Sequence, residues 1–342
     1  MKLARIHGHG GPEVLVCEDA PEPRIKPTEV LVRVGACSLN HLDLFVRAGM
    51  PGVKISLPRI LGSDIAGEVV AVGELCERVK PGWRVLLSPG LSCRQCEHCL
   101  SGNDNLCRRY TVFGYGIDGG NAELLAAPEY SVIQIPDDLG LEEAAAAPLV
   151  TLTAWHMLIT RARLQPGEDV LVLAASSGVG ACAIQIAKLF QCHVIATAGG
   201  EEKLAKARAL GADHTIDHYR QDISTEVKKI TARRGVDVVV EHVGAATWAK
   251  SLESLAPAGR LVTCGATTGY DASIDLRYLF TKQYSVLGSY MGTMGELNTA
   301  LKFVFRGLIR PVIDRVYPLA EIRDAHVRLE RKEQFGKILV KP

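Results

Sequence analysis

Residues 169–190 read DVLVLAASSGVGACAIQIAKLF and decide the fold of the second half of the chain. The segment opens with an apolar run typical of a buried strand and closes with the spacing of an amphipathic helix. Between them lies the turn 175–180, ASSGVG, in which Ala175 and Ser177 replace two of the three usual glycines. A turn in this position binds phosphate groups, because backbone N–H groups at the helix start point at the anion. The strand and helix that flank it therefore predict a dinucleotide site.

Strand-like and helix-like segments alternate after this unit. The strand-like segments are HVIATAG (193–199), HTIDH (214–218), VDVVVEHV (236–243) and RLVTCGA (260–266). Strict alternation requires right-handed crossovers, so it predicts an α/β, doubly wound parallel sheet with helices on both faces.

The N-terminal and C-terminal parts of the chain have a different sequence pattern. Up to about residue 150 short β-like runs are broken by Gly and Pro, which predicts a mostly-β catalytic domain over 1–150. The cofactor domain follows over 151–291, and the strands of the last segment, 292–342, do not extend its alternation. We expect this return segment to complete the first domain. The apolar run 142–158 should connect the domains as a buried helix interrupted near Pro148.

Composition excludes several classes of function. The 342 residues are too many for one ordinary core, which predicts two compact units. The 39 basic and 38 acidic residues leave a net charge of +1, so no basic surface calls for nucleic acid or a membrane. The N-terminus lacks the apolar run of a secretory signal, and we expect a cytoplasmic protein that acts on a small molecule.

Residues 92–107, SCRQCEHCLSGNDNLC, hold four of the ten cysteines. They are Cys93, Cys96, Cys99 and Cys107, in a lobe that we place at 88–110. Four thiolates at this spacing match the tetrahedral preference of zinc, with an iron–sulfur cluster or a disulfide pair as alternatives. Four protein ligands leave no open coordination position, so the pattern predicts one structural zinc per subunit that does no catalysis.

The end of the second strand of the parallel sheet indicates which dinucleotide is bound. An NAD enzyme normally places a carboxylate there for the ribose 2′-hydroxyl. This chain has Ala198, Gly199 and Gly200, followed by Lys203. Small residues and a cation favour the 2′-phosphate of NADP(H), while NAD(H) remains possible because Lys203 can also be a solvated helix charge.

Motifs along the whole chain resemble one family. They are GHGGPEVL (8–15), SLNHLDLFVRAG (38–49), LGSDIAGEVVAVG (61–73), ASSGVG (175–180), the four-cysteine lobe and FGKILV (335–340). Together they resemble the medium-chain dehydrogenase/reductase superfamily. The lobe is similar to zinc alcohol dehydrogenases, and the other motifs are similar to the quinone oxidoreductase and enoyl reductase branch. The resemblance implies a GroES-like catalytic domain and a Rossmann cofactor domain.

The resemblance also implies where a catalytic zinc would lie. Its three ligand positions fall on Asn40, Ser63 and Leu149, none of which binds zinc tightly. Without that metal, hydride transfer to a quinone or to an activated alkene or carbonyl is easier than alcohol oxidation. Asn40 and Ser63 would donate hydrogen bonds to the acceptor, and Asp43 is the third catalytic candidate or else bonds a neighbouring turn. Phe45 replaces a tyrosine of that branch, and lines a substrate pocket or the core.

An alcohol dehydrogenase with a non-standard metal site is the alternative function. Its ligands would come from Cys37, His41, Asp43, Asp64 and His156. Without such a metal site, Cys37 is a core thiol and His156 is a histidine on a helix face.

The resemblance further implies the cofactor contacts and the assembly. The contacts are Thr153 at the nicotinamide, Ser176, Ser177, Gly178, Val179 and Gly180 at the pyrophosphate, Ala198 and Lys203 at the adenosine end, His242, Val243, Gly265 and Ala266 along the nucleotide, and Lys337 near the phosphates. The strand YSVLGSY (284–290) would lie at the edge of the sheet and pair with a second copy, giving a homodimer or homotetramer.

Overall fold

The computed structural model describes residues 1–342 and divides them into two compact units, residues 1–149 with 293–342 and residues 150–292. The last segment of the chain thus returns to the first unit, one residue away from the boundary that the sequence predicts. No helix combines the length and the apolar character needed to cross a bilayer.

Short strands dominate the first part of the chain. The strands are β1 (Lys2–Ile6), β2 (Leu15–Asp19), β3 (Glu29–Ser38), β4 (Arg59–Ile60), β5 (Asp64–Val72), β6 (Arg84–Leu87), β7 (Gly90–Leu91), β8 (Thr111–Val112), β9 (Leu124–Pro128) and β10 (Val132–Gln134). The helices are α1 (His41–Ala48), α2 (Glu97–Leu100), α3 (Leu141–Ala146) and α4 (Pro148–Trp155). The break between α3 and α4 at Ala147 lies next to Pro148, which cannot donate a helical hydrogen bond.

Strands and helices alternate in the second part. A π-helical segment, His156–Arg161, comes first. The elements that follow are β11 (Asp169–Val172), α5 (Gly178–Leu189), β12 (His193–Ala198), α6 (Glu201–Ala209), β13 (His214–Asp217), α7 (Ile223–Ile230), β14 (Val236–Glu241), α8 (Trp248–Glu253), β15 (Leu255–Thr263), α9 (Leu276–Thr281) and β16 (Ser285–Gly288). The return segment holds α10 (Met294–Phe305), β17 (Ile313–Pro318), α11 (Ile322–Glu330) and β18 (Lys337–Lys341).

The first unit is built around β3. Val30, Val32 and Val34 alternate along this strand and are buried, while the residues between them are not, as expected when one face of a sheet covers a core. A seven-stranded sheet runs in the order β10-β6-β5-β3-β18-β17, and β9 also pairs with β3. Because β18 lies against the end of β3, the residues that follow Ser38 come close to Lys337, although 297 residues separate Asn40 from Lys337 along the chain.

The second unit is a six-stranded parallel sheet in the order β13-β12-β11-β14-β15-β16. Val238, Val239 and Val240 are all fully buried, which fits a strand that is covered by helices on both faces. The strand order reverses beside β11, and open α/β sheets bind ligands outside the carboxyl ends of strands at such a point. The predicted fold class is confirmed, including the edge position of β16.

Candidate functional site

The four-cysteine lobe lies between β7 and β8. The Sγ atoms of Cys93, Cys96, Cys99 and Cys107 all lie within 4.8 Å of one another. Backbone N–H groups of Cys93 and Arg109 donate to Cys107 Sγ at 3.4 and 3.3 Å, and hydrogen bonds of this kind orient metal-binding thiolates. The Gln95 N–H and the Arg109 guanidinium lower the pKa of Cys93 to about 5. The donor set and its spacing therefore fit a tetrahedral zinc ion.

A second polar group, the Lys337 cluster, consists of Ser38, Asn40, Asp64 and Lys337, and each of the four is at most 8% exposed. Lys337 Nζ donates to Asp64 Oδ2 at 3.0 Å and to Asn40 Oδ1. Asn40 Nδ2 donates to Asp64 Oδ2 at 2.9 Å, and Ser38 Oγ donates to it at 3.4 Å. The cluster is thus a buried ion pair held inside a hydrogen-bond network.

The structure brings together the three positions that correspond to metal ligands in the resembling zinc enzymes. The N–H of Leu149 donates to Asp64 Oδ1 at 2.7 Å, Asn40 bonds the other oxygen of Asp64, and Ser63 precedes Asp64 in the chain. Ser63 Oγ is buried and has no hydrogen-bond partner. The sequence resemblance singled out these positions, and it implied a place near the cofactor phosphates for Lys337, which stays a prediction. In the structure the Lys337 ammonium bonds Asp64 and Asn40, two partners that the sequence did not indicate.

Asp43 connects the two loops that carry Asn40 and Ser63. Its Oδ2 accepts from the N–H of Asn40 at 2.7 Å, and its Oδ1 accepts from the N–H of Gly62 at 2.8 Å. Both oxygens accept from backbone N–H groups, so Asp43 holds the two loops together, as the turn-bonding alternative expects. Burial raises the pKa of Asp43 to about 6, against the opposing effect of the two N–H donors and Lys337.

The residues suggested for a non-standard metal site do not form a group of metal-ligand atoms. The four cysteines of the lobe are the only group of three or more His, Cys, Asp or Glu side chains, over residues 1–342, whose ligand atoms come together. Cys37 is fully buried, and a Cβ added at Gly62 would lie 2.4 Å from its Sγ. Cys37 is therefore a packed core residue. His156 is 7% exposed and belongs to the other unit.

The phosphate-binding turn is shaped by Ser177 and Gly180. Ser177 Oγ accepts from the N–H of Gly180 at 2.8 Å and caps α5, and it lies 3.0 Å from Nε2 of His242. A Cβ at Gly180 would lie 2.5 Å from the carbonyl oxygen of Ala174, so the third glycine of the pattern is required. The other positions of the turn, Ser176, Gly178 and Val179, lie at the same point, where the N-terminus of α5 meets β11.

The remaining cofactor candidates lie on the second unit. Ala198 ends β12, Lys203 is in the first turn of α6, Val243 follows β14, and Gly265 and Ala266 follow β15. All of them lie at or beyond carboxyl strand ends, where the sequence predicts the nucleotide. Thr153 is on α4, buried, and its Oγ1 has no partner, so it does not bond its own helical turn.

Sequence reasoning missed Glu241, which organises the loop after β14. This carboxylate is fully buried and accepts from the N–H groups of Val243 and Gly244 at 2.6 and 3.0 Å. The hydroxyls of Thr247 and Ser251 also donate to it. An acidic residue at the end of the otherwise apolar run VVVEHV was the available signal.

We expect the replacement Asp43→Asn to change how stability depends on pH. The pKa of Asp43 is about 6 in the folded chain against a reference of 3.8, so the folded state holds this proton more tightly. Its contribution to the free energy of unfolding therefore grows as the pH falls through 6 and is lost as the pH rises. Between about pH 7.5 and about pH 4.5 the wild type should gain roughly 1–3 kcal/mol relative to the variant in denaturant titrations. The exposed Asp271→Asn is the control, and an equal difference at both pH values would contradict the assignment.

Two family models match the chain. The alcohol dehydrogenase GroES-like domain model matches residues 26–137, and the zinc-binding dehydrogenase model matches residues 178–306. The first match lies in the first unit, and the second begins at the first residue of α5.

Relatives match over nearly the full length. Quinone oxidoreductase-like protein 2 of Bos taurus is 32% identical over 336 residues, covering 95% of this chain and 88% of the relative. An NAD-dependent alcohol dehydrogenase of Sulfolobus acidocaldarius is 31% identical over 351 residues, covering 100% and 99%. A crystal structure described as an NAD-dependent alcohol dehydrogenase is 44% identical, with a TM-score of 0.97 over 100% of both chains. These similarities show that the chain is an oxidoreductase that belongs to the medium-chain dehydrogenase/reductase superfamily.

Proposed function

We propose that the protein uses a nicotinamide dinucleotide to reduce quinones or activated alkenes and carbonyls. The observation that carries this proposal is the Lys337 cluster. Asn40, Ser63 and Leu149 stand at the metal-ligand positions, and Asp64 beside them is already paired with an ammonium at 3.0 Å. A site without thiolate or imidazole, whose carboxylate is neutralised by lysine, has little affinity for zinc.

The chemistry of the acceptor follows from this site. Oxidation of a simple alcohol requires loss of the hydroxyl proton, which a catalytic zinc promotes by lowering the pKa of the hydroxyl. A quinone or an enone already has an electron-poor carbon, so it needs alignment and hydrogen bonds to the oxygen that becomes negative. Asn40 Nδ2 and Ser63 Oγ each carry a hydrogen atom that no protein acceptor takes. They are our candidates for that role.

The exposed phenyl ring of Phe45 supports the proposal of an apolar acceptor. Its side chain stands where quinone reductases of the family have a tyrosine, and it is 38% exposed, so it is not an ordinary core residue. A phenyl ring offers apolar surface and no proton. Water would then protonate the reduced product.

The second unit would hold the dinucleotide, which supplies the hydride when bound. N–H groups at the start of α5 suit the pyrophosphate, and no carboxylate stands at the end of β12. Lys203 and His218 lie at that end. Burial lowers the pKa of His218, the positive charge of Lys203 lowers this pKa further, and the negative charge of Asp217 raises it. The lowered pKa leaves the His218 imidazole neutral near pH 7, so Lys203 supplies the positive charge that favours the 2′-phosphate, and hence NADP(H) over NAD(H).

An alcohol dehydrogenase is the second candidate. The observation in its favour is the 44% identical structure described as an NAD-dependent alcohol dehydrogenase, together with the relative of that name from Sulfolobus acidocaldarius. For this chain to share that activity, it would need a metal site beyond the four-cysteine group, or a different way to remove the hydroxyl proton.

We further propose a structural zinc in the four-cysteine lobe and a cytoplasmic location. A closed site of four cysteines contributes to folding and leaves no open position for a substrate. Thiols in this arrangement stay available for metal in a reducing compartment.

A second copy of the chain is our proposed partner at β16. This strand is the edge of the six-stranded sheet, with one row of unpaired backbone groups. Exposed apolar side chains occur on this strand and in the neighbouring stretch of sequence: Tyr270, Leu276, Tyr278, Phe280, Val286 and Tyr290 are each at least 39% exposed. Pairing of two such edges would cover this surface in a homodimer, from which a homotetramer can form.

The test of the proposed function is a screen of NADPH and NADH oxidation. The acceptors are a benzoquinone, an enone, an enoyl-CoA and an aldehyde, and alcohol oxidation is measured in reverse. We expect turnover of at least one electron-poor acceptor to exceed alcohol oxidation by roughly 100-fold, with NADPH preferred, because the site stabilises negative oxygen without a metal. Efficient oxidation of simple alcohols by a protein with about two zinc ions per chain would favour the second candidate.

Metal analysis of Cys96→Ser tests the zinc lobe. We expect about one zinc per wild-type chain and loss of that zinc in the variant, because three thiolates cannot complete the tetrahedral site. The thermal midpoint should fall as the lobe loosens. Cys17→Ser, at an exposed thiol outside the lobe, should keep both metal and midpoint. Iron in place of zinc, or full metal content in Cys96→Ser, would contradict the assignment.

Phe280→Glu tests the β16 interface. Phe280 is 68% exposed, so the substitution leaves the core intact, but a carboxylate would be buried unpaired between two copies. We expect a wild-type dimer or tetramer in sedimentation velocity and a shift toward monomer in the variant. Leu75→Glu, at a leucine that is 63% exposed in the first unit, is the matched control. A monomeric wild type would refute this interface.

A further inference from the structure

The neighbours of Asn40 determine the orientation of its side-chain amide. A lysine ammonium only donates hydrogen bonds, and an ionised carboxylate only accepts them. Asn40 has one of each beside it: Lys337 Nζ donates to Oδ1, and Nδ2 donates to Asp64 Oδ2 at 2.9 Å. The flipped amide would set its NH₂ against the ammonium and its oxygen against the carboxylate. The orientation is therefore fixed by chemistry rather than by the assignment of nitrogen and oxygen.

This orientation leaves donors without partners and keeps acceptors occupied. Nδ2 of Asn40 carries a second hydrogen, and the ammonium of Lys337 carries a third, with no protein acceptor for either. Asp64 Oδ2 accepts from Lys337, Asn40 and Ser38, and Asp64 Oδ1 accepts from the N–H of Leu149. The cluster thus offers protons to a ligand and has no free carboxylate to take one.

We propose that Lys337 is a positioning residue for reduction, which holds the Asn40 amide so that its free N–H bonds the oxygen of the acceptor. This inference rests on the proposed function. It also limits the substrate class. Carbonyl and quinone oxygens, which gain negative charge as hydride arrives at carbon, match a donor-only site. A hydroxyl group that must lose a proton finds no base in the cluster.

The competing role for Lys337 is a contact to the cofactor phosphates, which the sequence resemblance implies. The two roles affect different measured quantities. A phosphate ligand contributes to the affinity for the dinucleotide, whereas a residue that orients Asn40 contributes to turnover at saturating dinucleotide.

The experiment compares Lys337→Met, Lys337→Arg and the control Lys341→Met. Lys341 lies on the same strand, is paired with Glu142 at 2.9 Å and has a side chain that is 50% exposed. The dissociation constant of NADPH is measured by quenching of tryptophan fluorescence, and kcat is measured with the best acceptor from the screen. For Lys337→Met we expect kcat to fall roughly 10- to 100-fold while the dissociation constant changes less than about twofold, since the amide becomes free to flip. Arginine also only donates, so Lys337→Arg should recover part of kcat.

A second variant keeps the test valid if Lys337→Met fails to fold because Asp64 loses its cation. The double variant Lys337→Met/Asp64→Asn removes both charges together, and its folding is checked by circular dichroism. Asn40 then has no neighbour that only donates or only accepts, so the same loss of kcat at unchanged NADPH affinity is expected.

The outcomes separate this inference from the proposed function. An active wild type whose kcat is unaffected in the folded variants would overturn the positioning role alone. A rise of about fivefold or more in the NADPH dissociation constant with unchanged kcat would also overturn it, and would make Lys337 a phosphate ligand. A wild type that binds no NADPH and reduces no acceptor would refute the proposed function and this inference with it.

Discussion

The buried pair of Lys337 and Asp64 is the interaction on which the first unit depends most. The two residues are 3% and 0% exposed, so both charges are removed from water at a cost of several kcal/mol each. Asn40, Ser38 and the N–H of Leu149 supply the hydrogen bonds that make this burial possible. Removal of one partner of such a pair destabilises a protein by about 3–5 kcal/mol. This pair and its hydrogen bonds thereby join the segment after β3 to the starts of α4, β5 and β18.

Under the proposed function, the same pair also limits what the site can bind. Two polar clusters of the chain, the four-cysteine lobe and the Lys337 cluster, could each hold a positive charge. They differ in the group that would carry it. The lobe has four thiolates that fit a metal and no open position. The Lys337 cluster has a fixed ammonium and no ligand that prefers zinc. An ammonium stays in place without a metal supply, but it polarises an oxygen less strongly than a dication, so it suits acceptors that are already activated.

The sequence predicted the features that depend on local pattern. Alternating apolar strands and helices identified the parallel sheet, and the spacing of Cys93, Cys96, Cys99 and Cys107 identified a group that does come together. Asn40 and Leu149, two positions that the resemblance singled out, both bond Asp64 in the structure. Periodicity says nothing about which buried polar groups become partners when the chain folds. The partners of Lys337 lie 297 and 273 residues away in sequence, so only the pairing of β18 with β3 reveals them.

Glu241 was missed because periodicity also does not show which groups a buried carboxylate bonds after folding. Its role in the second unit resembles that of Asp43 in the first. In each unit a buried carboxylate accepts backbone N–H groups from the loops that carry candidate site residues. Asp43 binds the N–H groups of Asn40 and Gly62, and Glu241 binds those of Val243 and Gly244. A carboxylate that only accepts is suited to this, because loop N–H groups near a ligand site cannot be left unpaired when water is excluded. Under the proposed function, these acids would contribute without touching a substrate, because they hold the loops in place before any ligand arrives.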